Sequence, residues 1–104
     1  MEAENRILKI EQTKNQGVLI CRLEGWLDPN TTPELEQALD LTDVEELIFD
    51  MQNVEYVFSA GLRAFLFFEK TMKAKNGTMR LIKVSDFVKS IFDMVGFQDI
   101  IEKA

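Results

Sequence analysis

The side chains able to do chemistry here are few, and most catalytic arrangements are missing from the start. The chain has no histidine, so Ser-His-Asp and Cys-His sets are absent, along with the commonest general base and metal ligand. Its single cysteine, Cys21, has no internal disulfide partner and follows the apolar run Val18, Leu19, Ile20, which reads as a buried thiol. No CxxC or HExxH spacing occurs, so no metal site is expected. Glu34, Glu36, Glu45 and Glu46 fall on helix starts or turns, where they read as solvated charge. Gly61 and Gly77 stand alone and build no phosphate cradle. The expectation is no catalytic residue, no cofactor and no enzyme.

The stretch from Asp50 to Arg63 carries more content. Ser59 opens a helical pattern directly after Phe58, and a hydroxyl at a helix start has two readings. One is an N-cap bonded to a first-turn N–H, worth about 0.5–2 kcal/mol against alanine. The other is a modification site, where an added phosphate meets unpaired N–H groups and the positive end of the helix dipole. Phosphorylation would bring about −1.5 to −2 charges against any partner that expects a neutral hydroxyl. Ala60 and Gly61 either let a partner approach the backbone closely or let the helix pack against its own sheet. Phe58 is either an N′ staple to the first turn or an aromatic contact for a partner.

Around these residues the chain punctuates itself at short intervals. Arg6 to Thr13 alternates as a half-buried strand, Asn15 to Gly17 turns, and Val18 to Leu23 returns as the second arm of a hairpin. Gly25 to Asn30 reads as a loop. Thr31, Thr32 and Pro33 start a helix, with threonine as cap, and that helix is expected to end near Asp40 to Thr42. Val44 to Met51 holds the apolar run Leu47, Ile48, Phe49, a strand buried on both faces. Ser59 to Lys75 forms a long helix stopped by Asn76 and Gly77, and Thr78 to Val84 a further strand. Ser85 caps a helix carrying Phe87, Val88, Ile91 and Phe92 that closes at Gly96, and Phe97 to Lys103 adds a helical turn. Phe67 and Phe68 are adjacent on one helix and cannot share a direction, so one is expected to be exposed. The order predicts an α/β fold with a mixed sheet of about four or five strands covered by three to four helices.

Size and charge bound the partners. A chain of 104 residues makes one domain, 1–104. The balance of 46% hydrophobic and 29% charged residues is that of a folded globular chain. Twelve basic against eighteen acidic residues leave −6, which disfavours nucleic acid and anionic membrane surfaces. No signal-peptide pattern or spanning stretch is visible, so a cytoplasmic location without membrane insertion is expected.

In order and spacing, several segments together resemble the STAS domain family of anti-sigma factor antagonists and their relatives. They are Leu23 to Asp28 after the hairpin, Ile48 to Met51 ending a strand, Val54 to Arg63, Gly77 with Met79 to Leu81, and Val95 to Phe97. The resemblance implies a bacterial switch protein that regulates transcription through protein contacts. Unphosphorylated, such a domain binds an anti-sigma factor that is also a serine kinase and so frees the sigma factor; phosphorylation ends binding and a serine phosphatase restores it. The family's phosphorylated serine falls on Ser59. Its loop aspartate falls on Asp28, which with Asn30 and Thr31 would flank the partner surface beside Phe58, Ala60, Gly61 and Arg63. The strand-end aspartate falls on Asp50, with a structural role expected. Phe58 is a departure, since many members carry aspartate or serine there. The resemblance also admits a second role, a non-phosphorylated adaptor subunit of a lipid or anion transport assembly. Ser59 would then be only a cap, and Phe58, Phe65, Phe67 and Phe68 would favour apolar docking.

Overall fold

A computed structural model describes residues 7–101, apart from the side chain of Gln98. Four strands form one sheet in the order β1 (Leu8–Asn15), β2 (Val18–Leu27), β3 (Glu46–Val57) and β4 (Thr78–Ile82). The β1–β2 pair is an antiparallel hairpin closed by Gln16 and Gly17, both at positive φ. β2–β3 and β3–β4 are parallel, joined by crossovers through α1 (Thr32–Ala38) and α2 (Ser59–Ala74). α3 (Asp86–Met94) and a 3₁₀ turn (Gln98–Ile100) complete the chain. The sheet is therefore mixed, four-stranded, and carries three α-helices, as the sequence predicts.

Strand alternation divides the sheet into two faces, one of which packs on the helices. Leu19, Cys21, Leu23 and Leu27 of β2, with Leu47, Phe49, Met51, Val54 and Val57 of β3, enter one core with Leu35, Phe65, Phe68, Met72, Val88 and Phe92 of the helices. Edge-on contact of Phe49 and Phe65, at 5.0 Å, ties β3 to α2. Phe68 is 3% exposed and its neighbour Phe67 59%, which settles which of the pair faces out. On the other face Ile48 and Asp50 are buried as well, so β3 is buried on both faces here. Asp50 takes Arg22 at 3.9 Å and Lys83 at 3.8 Å, and Glu46 takes Arg80 at 3.1 Å. Asp50 Oδ1 also accepts the Gln52 N–H at 3.0 Å, the structural role expected of it. Cys21 is fully buried, and burial pushes its thiol up to about 12.

Several boundaries differ from the sequence reading. The first strand runs Leu8–Asn15 rather than from Arg6, which lies outside the described residues, as do residues 102 and 103 of the expected final turn. β2 continues through the supposed loop at Gly25 as far as Leu27, because residues 24–27 find partners on β3. There Gly25 sits at φ 118°, and a Cβ would lie 2.2 Å from the Ile7 carbonyl oxygen, so the strand tolerates no side chain at this point. β3 does not end at Met51. Exposed Gln52 lies in a register shift, and pairing resumes with Glu24 opposite Asn53 and Gly25 opposite Val54. After a second shift Trp26 stands opposite Tyr56 and Leu27 opposite Val57. α1 stops at Ala38, short of Asp40, and β4 at Ile82.

Candidate functional site

Because β2 and β3 run parallel and end in register, the two strand-to-helix junctions lie side by side. The Phe58 N–H donates to the Leu27 carbonyl at 2.8 Å, so the chain leaving β2 at Asp28 and the chain entering α2 at Ser59 start from one bonded pair. This is how residues 31 positions apart in sequence come to share one end of the sheet.

The β2–α1 junction is closed by its own side chains. Asp28 Oδ1 accepts the backbone N–H groups of Asn30 at 2.8 Å and Thr31 at 2.9 Å. The Thr31 hydroxyl donates to the Trp26 carbonyl at 2.7 Å and accepts the Asp28 N–H at 2.9 Å. Asp28 and Thr31 are buried, whereas Pro29 and Asn30 are exposed. One expectation is corrected here. Thr31 occupies the N-cap position of α1 but makes no side-chain cap bond, because its hydroxyl is committed to the preceding turn. Through their bonds, buried Asp28 and Thr31 set the position of exposed Asn30.

The β3–α2 junction is the opposite. Only Phe58 separates the last strand residue from the first helical one, in extended geometry at φ −83° and ψ 174°. Ser59 is therefore the first residue inside α2 and not its N-cap, which corrects the capping reading. Phe58 takes the cap position with no side-chain bond to offer, and the first turn holds no acidic residue. The Ser59 side chain is exposed, and its hydroxyl makes no hydrogen bond among the described residues. First-turn N–H groups and the positive dipole end are thus left for an anion, with exposed Arg63 one turn on.

Gly61 and Ala60 separate in role. Gly61 is buried, and a Cβ there would lie 2.9 Å from both Leu27 Cβ and Val57 Cγ1, so its smallness serves packing of α2 on the sheet. Ala60 is half-buried and lines, with Arg63, Phe67, Pro29 and Thr32, an open hollow between α1 and α2. Phe58 is half-buried, its ring 4.7 Å from Tyr56 and 6.2 Å from Trp26. It is neither core nor isolated.

A family model for the STAS domain matches residues 9–104. The chain belongs to the STAS domain family. It is 31% identical to the anti-sigma F factor antagonist of Paenibacillus polymyxa, over 86% of this chain and 80% of that protein. It is 32% identical to the anti-sigma-B factor antagonist of Listeria monocytogenes, over 75% of this chain and 71% of that one. Among solved structures it resembles the anti-sigma factor antagonist SpoIIAA in its unphosphorylated form, with a TM-score of 0.81 at 19% identity over 92% of this chain and 88% of that one. The phosphorylated form of SpoIIAA, a Bacillus cell fate determinant, matches with a TM-score of 0.72 at 18% identity, over 92% of this chain and 91% of that one.

In this STAS domain the sequence reading missed the company that Phe58 keeps. Trp26 and Tyr56 stack at 5.7 Å across β2 and β3, and Tyr56 also meets Phe87 of α3 at 5.7 Å. Trp26 and Tyr56 were assigned to loops, so no register was available to bring their rings together. Among the described residues no group of three or more metal-ligating side chains converges, and no helix is long and apolar enough to cross a membrane.

Proposed function

We propose that this STAS domain is a cytoplasmic, phosphorylation-controlled anti-sigma factor antagonist. With Ser59 unmodified it binds an anti-sigma factor that is also a serine kinase, and the sigma factor is released. The kinase transfers the γ-phosphoryl of ATP to the Ser59 hydroxyl oxygen, whose proton is lost, leaving ADP and phosphoserine. A serine phosphatase reverses the state by hydrolysis. The chain is a binding module and a kinase substrate, not an enzyme.

The observation that carries this reading is the Ser59 hydroxyl, exposed and free of any capping bond at an unguarded helix start. A capping serine would have to give up its bond before it could be modified, whereas this one has none to give up. Phosphate at the first helical position also meets the dipole favourably, so the domain keeps its fold in both states. The added charge then acts on the partner, by desolvation and repulsion at a contact built for a neutral group. The antagonist relatives and the SpoIIAA structures in two phosphorylation states support the same reading.

Intact-mass spectrometry of the protein from its native host, with peptide mapping across Phe58 to Arg63, tests it. One phosphate on Ser59 is the expected result. Ser59 unmodified under all growth conditions would overturn phosphorylation control and favour the constitutive adaptor.

A further inference from the structure

We propose that an apolar band beginning beside Ser59 and running along the outside of α3 docks a basic amphipathic helix of the kinase that acts on Ser59; the proposal rests on the phosphorylation reading above. The band starts at Phe58 and passes through Tyr56 to Phe87 by ring contacts of 4.7 and 5.7 Å. From there it follows α3 at helical spacing: Phe87 is 56% exposed, Ile91 is half-buried, Met94 is 84% exposed and Val95 is 47% exposed. These positions are i, i+4, i+7 and i+8, one stripe about 10 Å long from Phe87 to Met94 at 1.5 Å per residue. α3 buries Val88 and Phe92, and Ile91 also packs against the core, so Phe87, Met94 and Val95 are the apolar side chains of this stripe in excess of what its own core needs.

Two arguments assign the occupant. The first is area: a stable protein contact covers roughly 800 Å² per partner, far more than one helix start offers. A kinase reaching Ser59 must extend over adjoining surface, and this aromatic-led band is the adjoining surface suited to an interface core. The second is charge. Exposed Asp86 and Asp93 lie at the two ends of the α3 stripe and exposed Glu55 precedes Tyr56, against half-buried Lys89, within a chain of net charge −6. That rim suits a basic segment and opposes pairing of two copies. A stripe at i, i+4, i+7 spacing is matched by the apolar face of another helix. The band would then add to the affinity of the unmodified protein, and the charge on Ser59 would oppose the same contact.

The test uses the purified anti-sigma factor kinase, with full-length protein as substrate. The paired change Phe87→Lys and Met94→Lys is expected to raise KM for Ser59 phosphorylation at least tenfold, with kcat within twofold and an unchanged melting temperature. Met94→Leu should restore wild-type KM in a Phe87 background, and Glu11→Lys on the edge strand β1 should leave it unchanged. An unchanged KM in the paired variant would overturn the band while leaving Ser59 as substrate. An equal rise in Glu11→Lys would overturn it as general electrostatics. Dimerisation of the wild type that is lost in the paired variant, measured by sedimentation, would reassign the band to a second copy. Failure of the wild type to be phosphorylated at all would bring down the Ser59 reading and this proposal together.

Discussion

The two junctions at one end of the sheet solve the same geometric problem in opposite ways. Between Leu27 and Thr32 the turn consumes its own polar groups: one carboxylate oxygen takes two N–H groups, and one hydroxyl both donates and accepts. Between Val57 and Ser59 there is no turn to build, and the hydroxyl is left over. A satisfied, buried polar group fixes geometry, and changing it costs stability. An unsatisfied, exposed one costs almost nothing to change and is free to respond to a modifying enzyme. The same corner of the fold thus holds a rigid frame and an unbonded hydroxyl, linked through the Phe58 N–H bond to Leu27.

Substitutions can break that contrast in graded steps. Asp28→Ala strands two N–H groups in a buried turn and is expected to cost about 3 kcal/mol, read as a shifted denaturant midpoint. Gly61→Ala places a methyl 2.9 Å from Leu27 and Val57. Overpacking there is expected to cost about 1–3 kcal/mol despite the helical preference of alanine. β2, which leads into the closed turn, carries Cys21, whose buried thiol is pushed up to about 12. Its folded value lies above the unfolded one, so its contribution is whole below pH 9 and is lost as pH rises from 9 toward 12. Between pH 8 and 10 this amounts to about 1 kcal/mol of stability. Denaturant titrations at both pH values should show that share of the loss disappear in Cys21→Ala.

A pair of serines sharpens the contrast further. Ser85 accepts the Val88 N–H at 3.2 Å as the true N-cap of α3, so Ser85→Ala should cost about 1 kcal/mol. Ser59→Ala should cost less than about 0.5 kcal/mol, as for an exposed side chain without a partner. Equal costs in thermal melts of the two variants would mean that Ser59 caps after all.

These serines also mark how far sequence reasoning reached. Both stand at the head of an apolar helical pattern, and both read as caps. What distinguishes them is the length of the junction. Phe58 alone separates β3 from α2, whereas Lys83, Val84 and Ser85 separate β4 from α3. The end of β3 is set by its pairing with β2 rather than by local chemistry. The helices α2 and α3, the hairpin and the buried Cys21 were legible because periodicity and turn residues announce them. The true length of β3 was not, because Gln52 and Asn53 at the register shift look like a loop. Gly61 was legible as a close approach, but the surface approached turned out to be Leu27 and Val57. The Phe58, Tyr56, Trp26 and Phe87 cluster could not be found, since its members come from three elements.

The account's central claim is that charge at Ser59 controls binding without disturbing the fold. Isothermal calorimetry of the anti-sigma factor kinase against Ser59→Ala and Ser59→Asp, alongside their melting temperatures, tests it most directly. The account predicts that Ser59→Ala binds as the unmodified protein does, while Ser59→Asp loses at least tenfold in affinity. Its melting temperature should be equal or slightly higher, since an acid at a helix start is worth about 0.3–1 kcal/mol. Equal binding by the two variants would contradict the claim.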